Sequence, residues 1–381
     1  MRQFAPDFYE SKSVTGPLAR VDRKEQGMAL PDLHFGLFSR VPARTGISDA
    51  ESLDEFFGIV EESERLGYDA VWIGEEHNEP GVFISGANFP IAAVAASRTS
   101  RLQIGLSIVA VPLNHPLRTA EAAATVDQIS HGRLIFGAGR SSKIDAYVSS
   151  GIDYDESRER QVEGLEVIRR AWTEETFTHR GKFYNFPDAR IAPKPFQRPH
   201  PPIYYAAGSP ASFEVAGREG YNIFIMPRGD RNVIRERVET YHRSWQEAGH
   251  SGRGDVVGSF LVYVADMMER AVSEPRESVI KLWERQAWIG GPHEALDDEA
   301  NRQRARGIKY LTETPYEEHV ESDVIVNFGT PEVVAERLQT LRDELGLSGF
   351  QLDMGMYNLM PPEQVIDSMS LFAEAARPLI K

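Results

Sequence analysis

The chain has no cysteine among its 381 residues, which excludes disulfide frameworks, thiolate nucleophiles and cysteine metal sites together. It also lacks any run of basic residues. Against 57 Asp and Glu stand 42 Lys and Arg, for a formal net charge of -15, and that balance disfavours nucleic acid and anionic membrane as partners. No segment approaches the roughly 20 apolar residues needed to span a bilayer. The N-terminus MRQFAPDFYESKS has none of the apolar core of a signal peptide, so a cytoplasmic protein is the expectation. No GxGxxG follows the first apolar run, neither HExxH nor an HxH pair occurs, and nothing repeats at a short fixed period.

What the chain does have is alternation. After a polar N-terminal extension, residues 1–32, strand-like runs fall at Leu33 to Phe38, Ala70 to Gly74, Leu102 to Ile108, Leu134 to Gly139, Pro202 to Ala207, Tyr221 to Met226, Val256 to Ala265 and Gly349 to Leu352. Helical spacing separates nearly all of them. It is clearest at Glu51 to Leu66, Leu117 to Ser130, Ser157 to Trp172 and Arg231 to Ala248, and at Pro331 to Leu345, with Thr330 as the predicted N-cap. FTHRGKFYNFPDAR reads as a short hairpin, and about 267–323 as an insertion with its own helices. Eight strands followed by helices predict an α/β fold, a (β/α)8 barrel over residues 33–381, with a doubly wound open sheet as the competitor.

In such a barrel the loops after the strands carry the chemistry. The second strand ends in VWIGEEHNEPG, where Glu75, Glu76 and Glu79 crowd one imidazole, His77. This is either a solvated surface turn or a site. The fourth ends in FGAGRSS, where glycines flank Arg140, and a guanidinium there can take a carboxylate or phosphate. After the fifth, AAGSPAS opens a helix with hydroxyls and backbone N–H groups, which is a phosphate seat or an ordinary capped helix. Phe38, Phe83, Phe89, Trp283 and Trp288 are candidates for an apolar pocket or, more commonly, core.

These loops, taken in order with HPLRTAEAAATVDQISHGR and SGIDYDESRER, resemble the bacterial luciferase-like flavin monooxygenases over most of Leu33 to Met226, and GTPEVVAERL, Gly329 to Leu338, resembles that family too. The resemblance implies a barrel whose insertion closes over the site. It implies reduced FMN (FMNH2) and O2 reacting through a flavin C4a-hydroperoxide to oxygenate a small organic substrate such as an aldehyde or ketone. It further implies a separate NAD(P)H-dependent flavin reductase and a homodimer or related heterodimer.

Residue by residue, the resemblance makes His77 the catalytic proton-transfer group, with Glu76 raising its pKa or orienting its ring and some of the acids solvating the rim. Asn78 stands where the family often has a second histidine. Ser107 and Ile108 match a pair joined by a non-proline cis peptide under the flavin ring, with Ile108 bulkier than usual. Arg140 and Arg158 match arginines that hold the flavin and its phosphate, and Gly208, Ser209 and Ser212 match the phosphate-binding turn. A deazaflavin (F420) oxidoreductase of the same superfamily, a non-catalytic flavin-binding protein and, more distantly, a metal-dependent hydrolase are the other readings.

Overall fold

A computed structural model of the chain describes residues 32–381 apart from 142, 228, 291–305, 307–308, 323–325 and 356–359, and leaves out the side chains of 285–290. The expected N-terminal extension, much of the expected insertion and the Trp288 side chain therefore lie outside the described residues. Eight parallel strands form a ring: β1 His34–Ser39, β2 Ala70–Ile73, β3 Gln103–Leu106, β4 Leu134–Gly139, β5 Ile203–Ala206, β6 Asn222–Ile225, β7 Val256–Val264 and β8 Gly349–Asp353. Each pairs with the next in chain order, and β8 returns to β1 through Phe350 opposite Phe35, so the sheet closes on itself and no doubly wound alternative remains. All eight lie where the apolar runs predicted them.

The strands are short and almost wholly buried because both faces are covered. Inside the ring, Trp72 stacks edge-on against Phe224 at 4.9 Å and lies 5.6 Å from Tyr204. This plug needs glycine on the neighbouring strands. A Cβ on Gly36 would come within 2.2 Å of the Trp72 ring, and one on Gly105 within 1.9 Å. Outside the ring, the helices bury their apolar stripes against the strands. Asp49–Arg65 shows how the sequence starts one: Ser48 caps it, and the Glu51 carboxylate accepts from the Ser48 N–H at 2.8 Å.

The N-terminal mouth of the barrel is closed by polar groups. Asp255, just before β7, accepts hydrogen bonds from the His34 ring at 2.8 Å, from the Tyr204 hydroxyl and from the Ser348 hydroxyl, which joins four of the strands. Burial pushes the Asp255 carboxyl up, but His34 and the two hydroxyls outweigh it and hold the group below the usual carboxylate range. Arg133, 3% exposed, spreads its guanidinium over the carbonyls of Ser130, Leu102, Ala96 and Thr99 and so fixes the turn into β4.

Further elements were not foreseen. The two-residue strand Val109–Ala110 pairs with the end of β4, Ile144–Ser149 is a short helix, and Val326–Gly329 pairs with the C-terminal half of β7. The expected hairpin is present as Phe177–Arg180 against Asn185–Ala189. Helices Met268–Ser273, Arg276–Gly290 and Tyr316–Ser322 lie in the segment expected as an insertion. Thr330 is the N-cap of Pro331–Leu345, but its hydroxyl makes no capping bond and donates instead to Glu332.

Candidate active site

The acidic turn after β2 is a paired network rather than a solvated rim. Gly74 still donates to Ser39 as the ladder would continue, and its lack of a side chain leaves room for Arg40, whose Cγ a Cβ would approach to 3.0 Å. Glu75 then turns inward, with its side chain 3% exposed. A carboxylate so placed must be fully hydrogen-bonded. It accepts from His77 Nε2 at 2.8 Å, from the Asn114 side-chain amide at 3.0 Å and from the Ala110 N–H at 3.3 Å.

Glu76 faces away from the ring, between Arg40 at 3.0 Å and Lys143, and Lys143 also reaches the buried Glu79. Phe83 lies 5.9 Å from the Arg40 guanidinium and 5.6 Å from the Lys143 ammonium. The ring is therefore oriented by Glu75; of the two roles the resemblance offered Glu76, raising the pKa or orienting the ring, it keeps only the first, through its charge. The Glu75 hydrogen bond raises the His77 pKa against the opposing effect of burial, the charges of Glu75 and Glu76 add to the rise, and Lys143 pulls it down. The imidazole stays cationic to higher pH than a free one.

Asn78 has a left-handed backbone, φ 59, which asparagine tolerates, and donates to the Asp145 carbonyl and the Ser149 hydroxyl. It ties the β2 turn to the helix Ile144–Ser149. His115, the other histidine after an early strand, is exposed and packs against Phe186 instead of joining His77.

The Ser107–Ile108 peptide bond is cis, in the form the resemblance implies. Ser107 Oγ accepts from the buried Gln351 amide on β8 at 2.9 Å, and the Ile108 side chain packs towards the barrel plug across Gly139, where a Cβ would lie 2.6 Å from it.

The other side of the site is cationic. Arg140 donates to Ser157 Oγ at 3.0 Å, and its own carbonyl accepts the Tyr147 hydroxyl. Burial pushes the Tyr205 phenol up, while Arg140 and Arg158 together pull it down, so both guanidiniums lie within electrostatic reach of that hydroxyl. Beside them the turn before Pro210–Glu219 is organised by Ser212, whose Oγ accepts from the Gly208 N–H at 3.0 Å and the Ser209 N–H at 2.9 Å. Arg237, from the helix Arg231–Glu247, donates to the Gly208 carbonyl at 3.2 Å. Among the described residues Arg140, Arg158 and Arg237 form no ion pair with a carboxylate.

The predicted residues thus fall into two neighbouring groups at the C-terminal end of the barrel: His77 with Ser107 and Ile108, and Arg140 and Arg158 with the turn Gly208, Ser209 and Ser212. Lys143, close in sequence to Arg140, links them by holding Glu76 and Glu79. Sequence reasoning missed Glu75 as the partner of His77, and it missed Asn114, Lys143, Arg40 and Arg237. Of these, Asn114 in VPLNHPLR had a signal, a polar side chain straight after an apolar strand. Phe38, Arg40, Phe83 and Asp353 line a cleft over the end of β1, whereas Trp283 is core and Phe89 packs against the core.

The model of the luciferase-like monooxygenase family matches residues 33–349. Limonene 1,2-monooxygenase of Rhodococcus erythropolis is 30% identical over 253 residues, 65% of this chain and 65% of that protein. The oxygenase component of a flavin-dependent trigonelline monooxygenase of Acinetobacter baylyi is 31% identical over 251 residues, 63% of this chain and 67% of that protein. The matched stretches span about two thirds of these relatives. The solved structure of monooxygenase RslO1 from Streptomyces bottropensis superposes with a TM-score of 0.78 and 27% identity, covering 91% of this chain and 99% of that one.

Proposed function

This chain belongs to the luciferase-like monooxygenase family, and from that premise we propose that it is the oxygenase component of a two-component, FMN-dependent monooxygenase acting on a small organic substrate. The observation that carries the proposal is the pair Arg140 and Arg158 around Tyr205, without carboxylate partners among the described residues, beside a helix N-terminus. Guanidiniums without a carboxylate counter-charge, next to a helix N-terminus and a phenol, fit the phosphate of a mononucleotide. Gly208 leaves open space there, since a Cβ on it would meet nothing within 4 Å. Reduced FMN would supply the electrons and the C4a carbon at which O2 is activated. Arg140, Arg158, Gly208, Ser209 and Ser212 would hold its phosphate, Ser107 and Ile108 would support the ring, and His77 would hold or move a proton beside it.

The trigonelline relative is named as an oxygenase component, which supports a separate NAD(P)H-dependent reductase as the source of reduced flavin. A homodimer or related heterodimer belongs to the same proposal.

The test is an anaerobic titration with reduced FMN, followed by mixing with oxygenated buffer while absorbance is recorded. Saturable binding and a transient oxygenated-flavin spectrum support the proposal; binding of deazaflavin in place of FMN overturns it in favour of hydride transfer. His77→Ala should bind reduced FMN as the parent does and lose at least about tenfold in turnover; undiminished turnover removes His77 from its role.

A further inference from the structure

Three acids surround His77, yet only one of them meets the ring, and it does so through a nitrogen that then has no freedom. Glu75 is the one that does, with its side chain 3% exposed, and two of its three donors come from a different loop: the Ala110 N–H and the Asn114 amide, which itself also donates to the Ala110 carbonyl at 3.0 Å. The carboxylate is thus pinned from the β3 side before it touches the imidazole from the β2 side. The other ring nitrogen, Nδ1, makes no hydrogen bond among the described residues. It lies along Gly86, where a Cβ would stand 3.5 Å away, so the missing side chain leaves that edge of the ring uncovered.

We propose that Glu75, fixed by Asn114 and the Ala110 amide, is a positioning residue that keeps a proton on His77 Nε2 and so makes Nδ1 the atom at which this histidine gives up and takes back a proton. The functional weight of that atom rests on the proposed role of His77; the tautomer itself does not. A neutral imidazole hydrogen-bonded to a carboxylate places its one proton on the bonded nitrogen, and the far nitrogen carries the lone pair. In the cation both nitrogens are protonated, so the proton that exchanges is the one on Nδ1.

The remaining charged groups near the ring do not change this choice of atom. Glu76 adds to the attraction for the cation and is itself balanced by Arg40 and Lys143, and Lys143 opposes the cation from the β4 loop. Glu79 is paired to that same lysine. None of them bonds the ring.

The inference is read on the flavin-free protein by 15N NMR of the imidazoles, with His77 assigned by its loss in His77→Ala. The parent should show the Nε2–H tautomer when neutral. Glu75→Gln, which keeps the shape and removes the charge, should lower the titration midpoint of His77 by about one unit or more and weaken the tautomer preference. Should that variant fail to fold, Asn114→Leu leaves the carboxylate but removes a donor, concentrates its charge and raises the midpoint. An Nδ1–H tautomer in the parent, or a midpoint unmoved by either variant, overturns the inference. Its failure separates from failure of the functional reading: the tautomer is measured without flavin, and turnover of His77→Ala tests only the role of the ring.

Discussion

The two ends of this barrel use their arginines differently. At the N-terminal mouth, two charged groups are consumed by their neighbours: Asp255 accepts from His34, Tyr204 and Ser348, and Arg133 gives N–H groups to backbone carbonyls. At the C-terminal end, beside the paired Glu75, Glu76 and Glu79, Arg140, Arg158 and Arg237 sit close to a helix N-terminus and form no ion pair with a carboxylate among the described residues. Paired charge at one end therefore holds strands together, and on the proposed function the guanidiniums at the other would face a ligand. Folding alone does not favour clustering three guanidiniums, so the asymmetry is what a barrel with its site at the strand C-termini should show.

The sharpest way to break this comparison is Asp255→Ala. It leaves the His34 ring and two hydroxyls buried without their acceptor and should cost about 3 to 5 kcal/mol, read from the urea midpoint; a cost below 1 kcal/mol would mean the lower network does not hold the barrel. Because the Asp255 carboxyl is held below its unfolded value, its contribution is fully present above the ordinary carboxylate pKa and is lost as the pH falls through the folded one.

The reverse pattern is expected at the top. Arg140→Ala or Arg158→Ala should weaken reduced FMN by about 10- to 100-fold, the worth of one charge-assisted hydrogen bond, while the urea midpoint stays nearly unchanged. Unaltered flavin affinity would remove the ligand from the upper end.

A smaller effect sharpens the same distinction on the outside of the barrel. Glu64 accepts the backbone N–H groups of Ser100, Arg101 and Leu102 and the Ser100 hydroxyl, and these outweigh its partial burial to bring the carboxyl down to about 2. Discounted for its exposure, Glu64→Gln should cost about 1 kcal/mol at neutral pH. The difference from the parent should persist above the ordinary carboxylate pKa and vanish as the pH falls from about 4.5 towards 2.

The barrel was legible because each of its strands is a short apolar run bounded by helices or turns, from Leu33 to Phe38 at one end of the chain to Gly349 to Leu352 at the other. Val326–Gly329 was not, since VNFG carries a polar Asn327 and lies between the charged stretch read as an insertion and the helix Pro331–Leu345. In the site, His77, Arg140 and the AAGSPAS turn stood out by position. Their partners did not. Whether Glu75 or Glu76 meets the ring depends on how the chain turns after Gly74, and Asn114 and Lys143 lie 37 and 66 positions from His77. Arg237 lies on a helix rich in arginine, and nothing local distinguishes the one that reaches Gly208.

The barrel plug also bears on how this chain can change over generations. Trp72, Gly36 and Gly105 form a set in which no member varies independently, because any side chain at either glycine collides with the indole. Reducing Trp72 first leaves a void costing about 3 to 5 kcal/mol, a loss that a stable ancestor survives; enlarging a glycine first does not leave a closed ring. A descendant with a differently filled barrel must therefore have lost the tryptophan before it gained anything at positions 36 and 105, and the order of substitutions is written into the fit of three residues.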